Sequence, residues 1–302
     1  MIADLLSQRG LSLDRLQSFC MVAHAGGVTK AARGNAAKQS QYSRQIKDLE
    51  VYFGTELMRR RGKGIELTEA GKRLEVAARG CFSVLGDFKN ECTGKPSEVV
   101  IGAGESMIRW LMLPRLGPIR EKIRTARFRL LNLETGEAIT RLSEGVIDFA
   151  VVRRESVKPP LRHIRLGRLK YSLFAPAKVR DKFNTRRILA WLGELPLATL
   201  EGDGSFRQGL ALIATQKGID LRIELECSSF PLVASALKAG DLAAVLPSVA
   251  AGELIEAGLV EIQSEILKPL EREYCLAWSP RTQAIRSVLP SVQRMLTTAC
   301  QF

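Results

Sequence analysis

The strongest constraint on the fold is a set of apolar residues that recur at alternating intervals of four and three between positions 74 and 92. These intervals place one apolar stripe along a long helix, which is the pattern by which two helices pair. Thr68 is suited to cap the start of this helix, and Gly94-Lys95-Pro96 would end it. The stripe either packs on its own domain or on a partner helix, and its length favours the partner. The stripe consists of Leu74, Ala78, Cys81, Leu85, Phe88 and Cys92.

The long helix divides the 302-residue chain into a small N-terminal part and a larger C-terminal part, each able to bury a core of its own. The N-terminal part predicts three short helices, at residues 12–25, 28–34 and 39–53, and then a hairpin within residues 57–67. Two glycines lie inside the basic run of that hairpin. Three helices and a basic hairpin form a winged helix-turn-helix, in which one helix enters the DNA major groove and the hairpin, or wing, reaches the backbone or minor groove.

Positive charge supports this interpretation without proving it. The net charge of +13 favours polyanionic partners, although many basic residues serve only to hydrate a surface. The third helix carries amides that can bond base edges, and hydroxyls and a guanidinium suited to phosphate. That face holds Gln39, Ser40, Gln41, Ser43 and Arg44. Between positions 28 and 63, nine basic residues (Lys30, Arg33, Lys38, Arg44, Lys47, Arg59, Arg60, Arg61, Lys63) stand against three acidic ones (Asp48, Glu50, Glu56).

From residue 98 onward, short apolar runs alternate with helical patterns. This alternation of strand and helix patterns predicts an open, mostly parallel α/β sheet. In such folds ligands bind at the carboxyl ends of strands or in a cleft between two halves. Strands are expected at residues 99–103, 128–133, 147–152, 172–175, 223–225, 242–246 and 274–278.

The residues that metal or catalytic chemistry would need are scarce. The six cysteines form no CxxC pair and His24 and His163 are the only histidines, so neither a metal nor a cofactor is expected. An enzyme is the first alternative, because Gly102-Ala103-Gly104 precedes a helical pattern. The third glycine of a dinucleotide-binding motif is absent, however, and no nucleophile elbow, P-loop or zinc-protease motif occurs.

A module that binds solutes for transport is the second alternative. The first eleven residues lack the pattern of a secretory signal, and no apolar stretch is long enough to span a membrane. Both observations argue against transport, and a cytoplasmic protein is expected.

The N-terminal segments occur in an order that resembles the DNA-binding domain of LysR-type transcriptional regulators. The resemblance implies base contacts from Gln39 and its neighbours, backbone contacts from Thr29, Ser43 and Arg44, and a backbone or minor-groove contact from Lys63. The matching segments are Val28-Thr29-Lys30-Ala31-Ala32, Gln39, Ser43-Arg44-Gln45-Ile46-Lys47-Asp48-Leu49-Glu50, Phe53-Gly54-Thr55-Glu56-Leu57 and Gly62-Lys63-Gly64-Ile65-Glu66-Leu67-Thr68-Glu69-Ala70-Gly71.

The chain departs from the family pattern around the start of the third helix. Asn35 stands where the family usually has a buried leucine, so it must find a hydrogen bond or solvent. Ala37 and Lys38 replace a valine and a capping serine, which predicts either a weaker helix start or a phosphate ligand at Lys38. Ser40-Gln41 replaces Pro-Ala and changes the expected base preference.

The C-terminal part resembles the effector-binding domain of the same family, through Val100-Ile101-Gly102-Ala103, Leu113-Pro114-Arg115-Leu116 and the segment from Leu142 to Ala150 among others. The resemblance implies a multi-domain protein with three parts. A mainly helical winged helix-turn-helix would span residues 11–68, a dimer-forming linker helix 69–93, and a two-lobed α/β domain similar to periplasmic binding proteins 94–302. Lobe one would comprise residues 95–168 and 268–302, and lobe two residues 169–267.

By the same resemblance a small-molecule effector binds between the lobes. Its charge stays open, because helix N-termini favour an anion whereas two glutamates favour a cation or a hydroxyl group. Cys227 is expected to be an ordinary thiol, with no second cysteine nearby in the sequence for redox chemistry. The residues expected at the cleft are Glu105, Ser106, Glu134, Thr135, Thr199, Glu201, Ser228, Ser229 and Phe230.

The partners implied by the resemblance are double-stranded DNA, the effector, RNA polymerase and further copies of the chain. The copies would form a homodimer, or a homotetramer built as a dimer of dimers. The operator sequence, and whether the protein activates or represses, stay open.

Overall fold

The structure is a computed structural model that describes residues 10–61, 64–177 and 188–302. The chain forms two compact units. The first comprises the N-terminal part up to Ser97 with the short segments Ser143–Val146 and Ala284–Ser287, and the second comprises Glu98–Leu142, Ile147–Gln283 and Val288–Phe302. Within the described ranges, no helix is both long enough and apolar enough to cross a membrane.

The first unit has the element order predicted for a winged helix-turn-helix. Its core is formed where the apolar faces of the three short helices meet the hairpin, with Phe19, Val22, Leu49 and Leu57 almost completely buried. The elements are α1 (Leu13–Ala25), α2 (Val28–Ala32), α3 (Ala36–Phe53), β1 (Met58–Arg61), β2 (Gly64–Leu67) and α4 (Glu69–Cys92).

The start of α3 corrects the sequence-based prediction. The helix begins at Ala36 rather than near residue 39, and Asn35 is its N-cap, accepting a hydrogen bond from the Lys38 amide at 3.0 Å. Asn35 is therefore exposed and capping, which satisfies its side chain and leaves the helix without the capping defect expected at Lys38. The short α2 also ends earlier than predicted, because Arg33 adopts a left-handed conformation with φ of 49°.

Helix α4 matches the predicted long helix closely. The Thr68 hydroxyl accepts a hydrogen bond from the Gly71 amide at 3.0 Å and so caps its first turn. The apolar stripe is buried only near this end, where Ala78 is 2% exposed, whereas Leu85 and Phe88 are 46% and 64% exposed. The second half of the stripe thus leaves large apolar side chains in contact with solvent.

The second unit contains a five-stranded sheet with the order β4-β3-β5-β12-β6. Strand β3 is parallel to β5, whereas β12 is antiparallel to both β5 and β6. We call this sheet and its helices the first lobe. Its strands are β3 (Ser97–Ala103), β4 (Ala126–Asn132), β5 (Phe149–Arg153), β6 (Arg162–Leu169) and, after the chain returns, β12 (Arg272–Trp278).

The second lobe lies between β6 and β12 in the sequence. A three-stranded antiparallel sheet has the order β10-β7-β11, and a parallel pair, β8-β9, joins it through a bridge between Leu197 and Ala243. Its strands are β7 (Tyr171–Pro176), β8 (Leu197–Leu200), β9 (Ile223–Cys227), β10 (Ala244–Pro247) and β11 (Leu259–Ile262).

The prediction of a mostly parallel sheet was wrong. Strand β6 leads from the first lobe to the second, and β12 leads back. Strand β12 is therefore antiparallel to its neighbours β5 and β6. Strands β6, β8 and β11 were not predicted at all. The helices of this unit are α5 (Leu113–Lys122), α6 (Thr135–Ser143), α7 (Ile188–Glu194), α8 (Ser205–Lys217), α9 (Phe230–Ala239), α10 (Ala251–Glu256), α11 (Pro280–Ile285) and α12 (Leu289–Ala299), with a π-helical turn at Met107–Met112.

Candidate functional site

Helix α3 presents a polar face to solvent because its apolar residues are used in the core. Tyr42, Ile46 and Leu49 are buried on the inner face. Two carboxylates of α3 hold the helix against α1 and against the start of the wing. The Asp48 carboxylate accepts a hydrogen bond from Arg15 at 3.0 Å, and the Glu50 carboxylate accepts hydrogen bonds from the Leu57 and Met58 amides at 2.9 and 3.3 Å.

The outer face of α3 and the adjoining α2 carries the residues expected to contact DNA. Gln39 donates a hydrogen bond from Nε2 to the Thr29 hydroxyl at 3.2 Å, which joins the two helices and does not use the Gln39 carbonyl oxygen. The exposed residues of this face are Thr29, Lys30, Lys38, Ser40, Gln41, Ser43 and Arg44, with Gln39 partly exposed among them.

The wing separates its arginines onto two faces, because successive residues of a strand point in opposite directions. Arg59 and Arg61 lie on the face of Glu66, with nitrogen–oxygen distances of 3.6 and 3.3 Å. Arg60 points the other way and has no carboxylate partner among the described residues. Lys63, the wing residue expected to contact DNA, and Gly62 lie outside the described residues.

The cations of this surface thus fall into two groups. Arg61 has its charge balanced within the wing, whereas the described residues place no carboxylate against Lys30, Lys38 or Arg44. Lys38 lies in the first turn of α3, where the helix dipole would repel it unless an anion is bound. Unpaired exposed cations beside a helix N-terminus are suited to phosphate oxygens.

The second unit contains a cleft of about 790 Å³ between its two lobes. The cleft is lined by segments that follow strands β3, β4 and β9, by the first turns of α8 and α9, and by strand residues of β5, β7 and β12. The carboxyl ends of parallel strands and the starts of the following helices therefore meet here, as they do at ligand sites of α/β proteins.

Most residues expected at the effector site line this cleft. They are Glu105, Ser106, Glu134, Thr135, Ser228, Ser229 and Phe230. Thr199 and Glu201 do not line it. Thr199 is only 4% exposed within β8 and Glu201 is exposed beyond its end, whereas Leu200 between them lines the cleft. The alternation of side chains along the strand explains why two neighbours of a lining residue are excluded.

Sequence reasoning missed the residues on the floor of the cleft. Arg153 ends β5, and its strand partner in β12 is Tyr274, two residues beyond Arg272. The Arg272 guanidinium donates hydrogen bonds to the Pro269 and Glu271 carbonyl oxygens, both at 2.8 Å. The polar ends of two otherwise apolar strand segments were the only signal in the sequence for this site.

An aromatic wall from the second lobe completes the cleft. The ring of Phe206 lies 4.8 Å from that of Phe230 and 5.2 Å from that of Tyr171, measured between centroids. Burial raises the pKa of the Tyr171 and Tyr274 hydroxyls, although Arg153 and Arg272 oppose that rise. Both tyrosines are therefore neutral hydrogen-bonding groups at physiological pH.

Cys227 is the last residue of strand β9, next to the cleft residue Ser228, and has no feature of a reactive thiol. Partial burial, with a smaller contribution from the charge of Glu201, raises its pKa, so the reactive thiolate is depleted. Among the described residues, no cluster of His, Cys, Asp and Glu is suited to hold a metal ion.

A carboxylate on the second lobe links the two lobes. Glu253 in α10 accepts hydrogen bonds from Arg109 at 3.0 and 2.8 Å and from the Trp110 indole at 2.7 Å, and it also pairs with Lys238 of α9. Arg109 and Trp110 belong to the π-helical turn of the first lobe, and Trp110 packs into the core of the second. The hydrogen bond from Arg109, with help from Lys238 and Trp110, lowers the pKa of Glu253 from 4.5 to about 2.

Replacing Glu253 with Gln should destabilise the second unit by roughly 2 kcal/mol, because hydrogen bonds from two cations lose their charged acceptor. Since the folded-state pKa lies below the ordinary value, the stabilisation is full above pH 4.5 and is lost as the pH falls toward 2. Chemical unfolding at several pH values should therefore show a shallower loss of stability with acid in the variant. Glu256→Gln, an exposed position on the same helix, is the control, and an equal effect there would contradict this assignment.

Family models match both the N-terminal and the C-terminal part of the chain. The model of the LysR substrate binding domain matches residues 93–297, and that of the bacterial regulatory helix-turn-helix protein, lysR family, matches residues 13–72. A probable nitrogen assimilation transcriptional activator of Synechococcus elongatus is 23% identical, with 97% of this chain and 93% of that protein covered.

Solved structures show the same fold. Full-length LysG from Corynebacterium glutamicum, crystallised with the bound effector Arg, is 17% identical with a TM-score of 0.63, over 97% of this chain and all of LysG. CbnR in complex with its target DNA is 21% identical with a TM-score of 0.56, over 94% of this chain and all of CbnR. Because the two family models together match most of the chain, this protein belongs to the LysR-type family of bacterial DNA-binding transcriptional regulators, which carry an effector-binding domain.

Proposed function

We propose that the outer face of α3 reads the bases of a DNA site while α2 and the wing hold the phosphate backbone. The observation that carries this proposal is that one surface holds two kinds of group: exposed cations without carboxylate partners, and the amide of Gln39. Gln39 has a free carbonyl oxygen and is held in position by Thr29. An amide at the start of a helix in the major groove can bond one base edge, whereas lysine and arginine at the rim bind any sequence. Lys63 is included in the proposal by family resemblance.

Substituting Gln39 with Ala should cost about 1 to 3 kcal/mol of binding free energy, mainly at one base pair, because a base contact is lost. Arg44→Ala should weaken binding to all sequences by similar factors. Binding to a library of single-base variants of the footprinted site distinguishes the two outcomes. An unchanged base preference in the Gln39 variant would show that α3 is not the reading helix in the manner proposed.

The second part of the proposal is that a small-molecule effector binds in the cleft and alters DNA binding. The volume lies within the usual range for small-molecule sites, and the lining combines aromatic rings with a few polar groups. LysG, which shares the fold, was crystallised with an effector, so this type of domain has a precedent for binding one.

The third part is that the chain acts as a homodimer, or as a tetramer of two dimers, through the apolar stripe of α4. Leu85 and Phe88 are too large and too exposed to be explained by packing within the described part of one chain. Two chains related by a twofold axis would bring two reading helices to paired half-sites. Contact with RNA polymerase and action in the cytoplasm complete the proposal by family resemblance.

Leu85→Glu should convert the dimer to a monomer with weak site binding, because the substitution buries a charge where two apolar stripes meet. Sedimentation velocity at micromolar concentration measures the change directly. Gly86→Glu places the same charge on the next residue, outside the apolar stripe and where an added Cβ atom would meet nothing within 4 Å, and should leave the dimer intact. A wild-type protein that sediments as a monomer would refute the proposal.

A further inference from the structure

Two guanidinium groups face the cleft without any carboxylate to balance them. Arg153 and Arg272 are both partly buried lining residues. Arg272 is held by two backbone carbonyl oxygens, and Arg153 hydrogen-bonds the hydroxyl of Tyr274, so all three bonds go to uncharged acceptors. Within the described part of the chain, neither arginine has an acidic partner.

Neighbouring arginines that do not line the cleft behave differently. Arg154 and Arg165 both pair with Glu273, at 3.4 and 2.9 Å, and Arg168 lies 3.8 Å from Glu271. Acidic residues therefore pair with these arginines outside the cleft and leave the two that line it unpaired. A partly buried cation without a counterion is costly, so this arrangement favours an anion as the missing partner.

The rest of the cleft lining includes aromatic rings and other apolar side chains. Tyr171 is 9% exposed and packs against Phe206 and Phe230, whose rings stand nearly perpendicular with an interplanar angle of 82°. Leu200 and Leu270 extend this apolar lining. A ligand that places its charge at the arginines would thus lay its body against aromatic rings, which prefer a planar, unsaturated partner.

The acidic lining residues do not cancel this charge. Glu105 and Glu134 are exposed, and the charge of Glu105 acts on Arg109, which lies outside the cleft lining. Exposed carboxylates are screened by water, whereas partly buried guanidinium groups are screened much less. The charges of Arg153 and Arg272 therefore dominate inside the cleft and favour a negatively charged ligand.

We infer that the effector is an aromatic or similarly planar organic acid, whose carboxylate binds Arg153 and Arg272 and whose ring packs against Tyr171, Phe206 and Phe230. The inference rests on the proposed function of the cleft as an effector site. It resolves the charge that the sequence left open, and it uses residues that no sequence motif marked.

A set of matched small molecules distinguishes the contribution of the carboxylate charge to binding from that of the aromatic ring. Benzoate and naphthoate, their uncharged amides, and acetate are titrated into the full-length protein by isothermal calorimetry. We expect the aromatic acids to bind at least about tenfold more tightly than the amides, because a charge-assisted bidentate contact is lost, and also more tightly than acetate, which keeps the carboxylate but has no ring to pack. Comparable binding of benzamide and benzoate would overturn the inference.

Variants then locate the carboxylate. Arg153→Gln should weaken binding of the aromatic acids by about tenfold or more and leave the amides unaffected, and Arg272→Lys should weaken it less than Arg153→Gln because its charge is kept. Arg154→Gln, at the adjacent residue, which pairs with Glu273 and does not line the cleft, is the control and should bind normally. Equal weakening in the Arg154 variant would overturn the inference, and circular dichroism of each unliganded variant confirms that it is folded.

Failure of this inference can be told apart from failure of the proposed function. A metabolite panel that includes neutral and cationic compounds is followed through the melting temperature of wild type, Ser106→Ala and Ser228→Ala. If a neutral or cationic compound stabilises only the wild type, the cleft is an effector site and the inference about an organic acid is wrong. If aromatic acids fail to bind and no compound distinguishes wild type from the cleft variants, both the inference and the effector site are wrong.

Discussion

Raising the salt concentration from about 50 to about 200 mM should weaken binding of this protein to its DNA site by roughly 10³ to 10⁵-fold, the range for six to ten phosphate contacts. Lys30, Lys38 and Arg44 are exposed and lack carboxylate partners among the described residues, and Arg60 adds a fourth cation from the wing. A dimer doubles this set. Fluorescence anisotropy with a labelled site, measured over a series of salt concentrations, gives the slope of log affinity against log salt.

The two wing arginines offer a matched pair for this experiment. Arg60→Ala should reduce the slope by about one for each chain that contacts DNA, because one released counterion is lost per phosphate contact. Arg61→Ala should change it less, since Glu66 already balances that charge at 3.3 Å. Equal changes in the two variants would show that the pairing seen in the wing does not persist on DNA.

Gly71→Ala should abolish stable folding of the winged helix-turn-helix or destabilise it by about 3 kcal/mol or more, near the upper end for overpacked sites. Gly71 is buried in the first turn of α4, and a Cβ atom there would lie 2.0 Å from the carbonyl oxygen of Leu57. That oxygen belongs to the backbone and also accepts a hydrogen bond from the Thr68 amide, so it cannot move aside without opening the junction of wing and helix. Thermal unfolding and site binding both measure the loss.

Gly86 in the same helix is the control. A Cβ atom there would meet nothing within 4 Å, so Gly86→Ala should stabilise α4 by roughly 0.5 to 1 kcal/mol through helix propensity alone. Destabilisation by both substitutions would point to a general requirement for glycine in α4 instead of a clash at Leu57.

Local patterns in the sequence determined the first unit almost completely. The spacing from Leu74 to Cys92 and the capping residue Thr68 give α4 within one residue of its observed start, because helix periodicity and capping act over a few neighbouring positions. The outer face of α3 followed from the same periodicity. The start of α3 did not, because the family pattern gave no reason to assign Asn35 as its cap.

Which residues of the second unit meet depends on long-range pairing. Strand periodicity indicates two faces but not which one becomes a cleft, and the pairing between β5 and β12 joins segments more than 100 residues apart. That pairing sets Arg153 opposite Tyr274, and both line the cleft, whereas Arg154 does not. In the second lobe, Leu200 at the end of β8 lines the cleft while Thr199 is buried within the strand. The charges of Arg60 and Arg61 are likewise alike in sequence and are separated only by the register of the wing. Local sequence patterns were therefore sufficient to predict the family and the position of α3, whereas the chemistry of the cleft depends on strand pairing over long sequence distances.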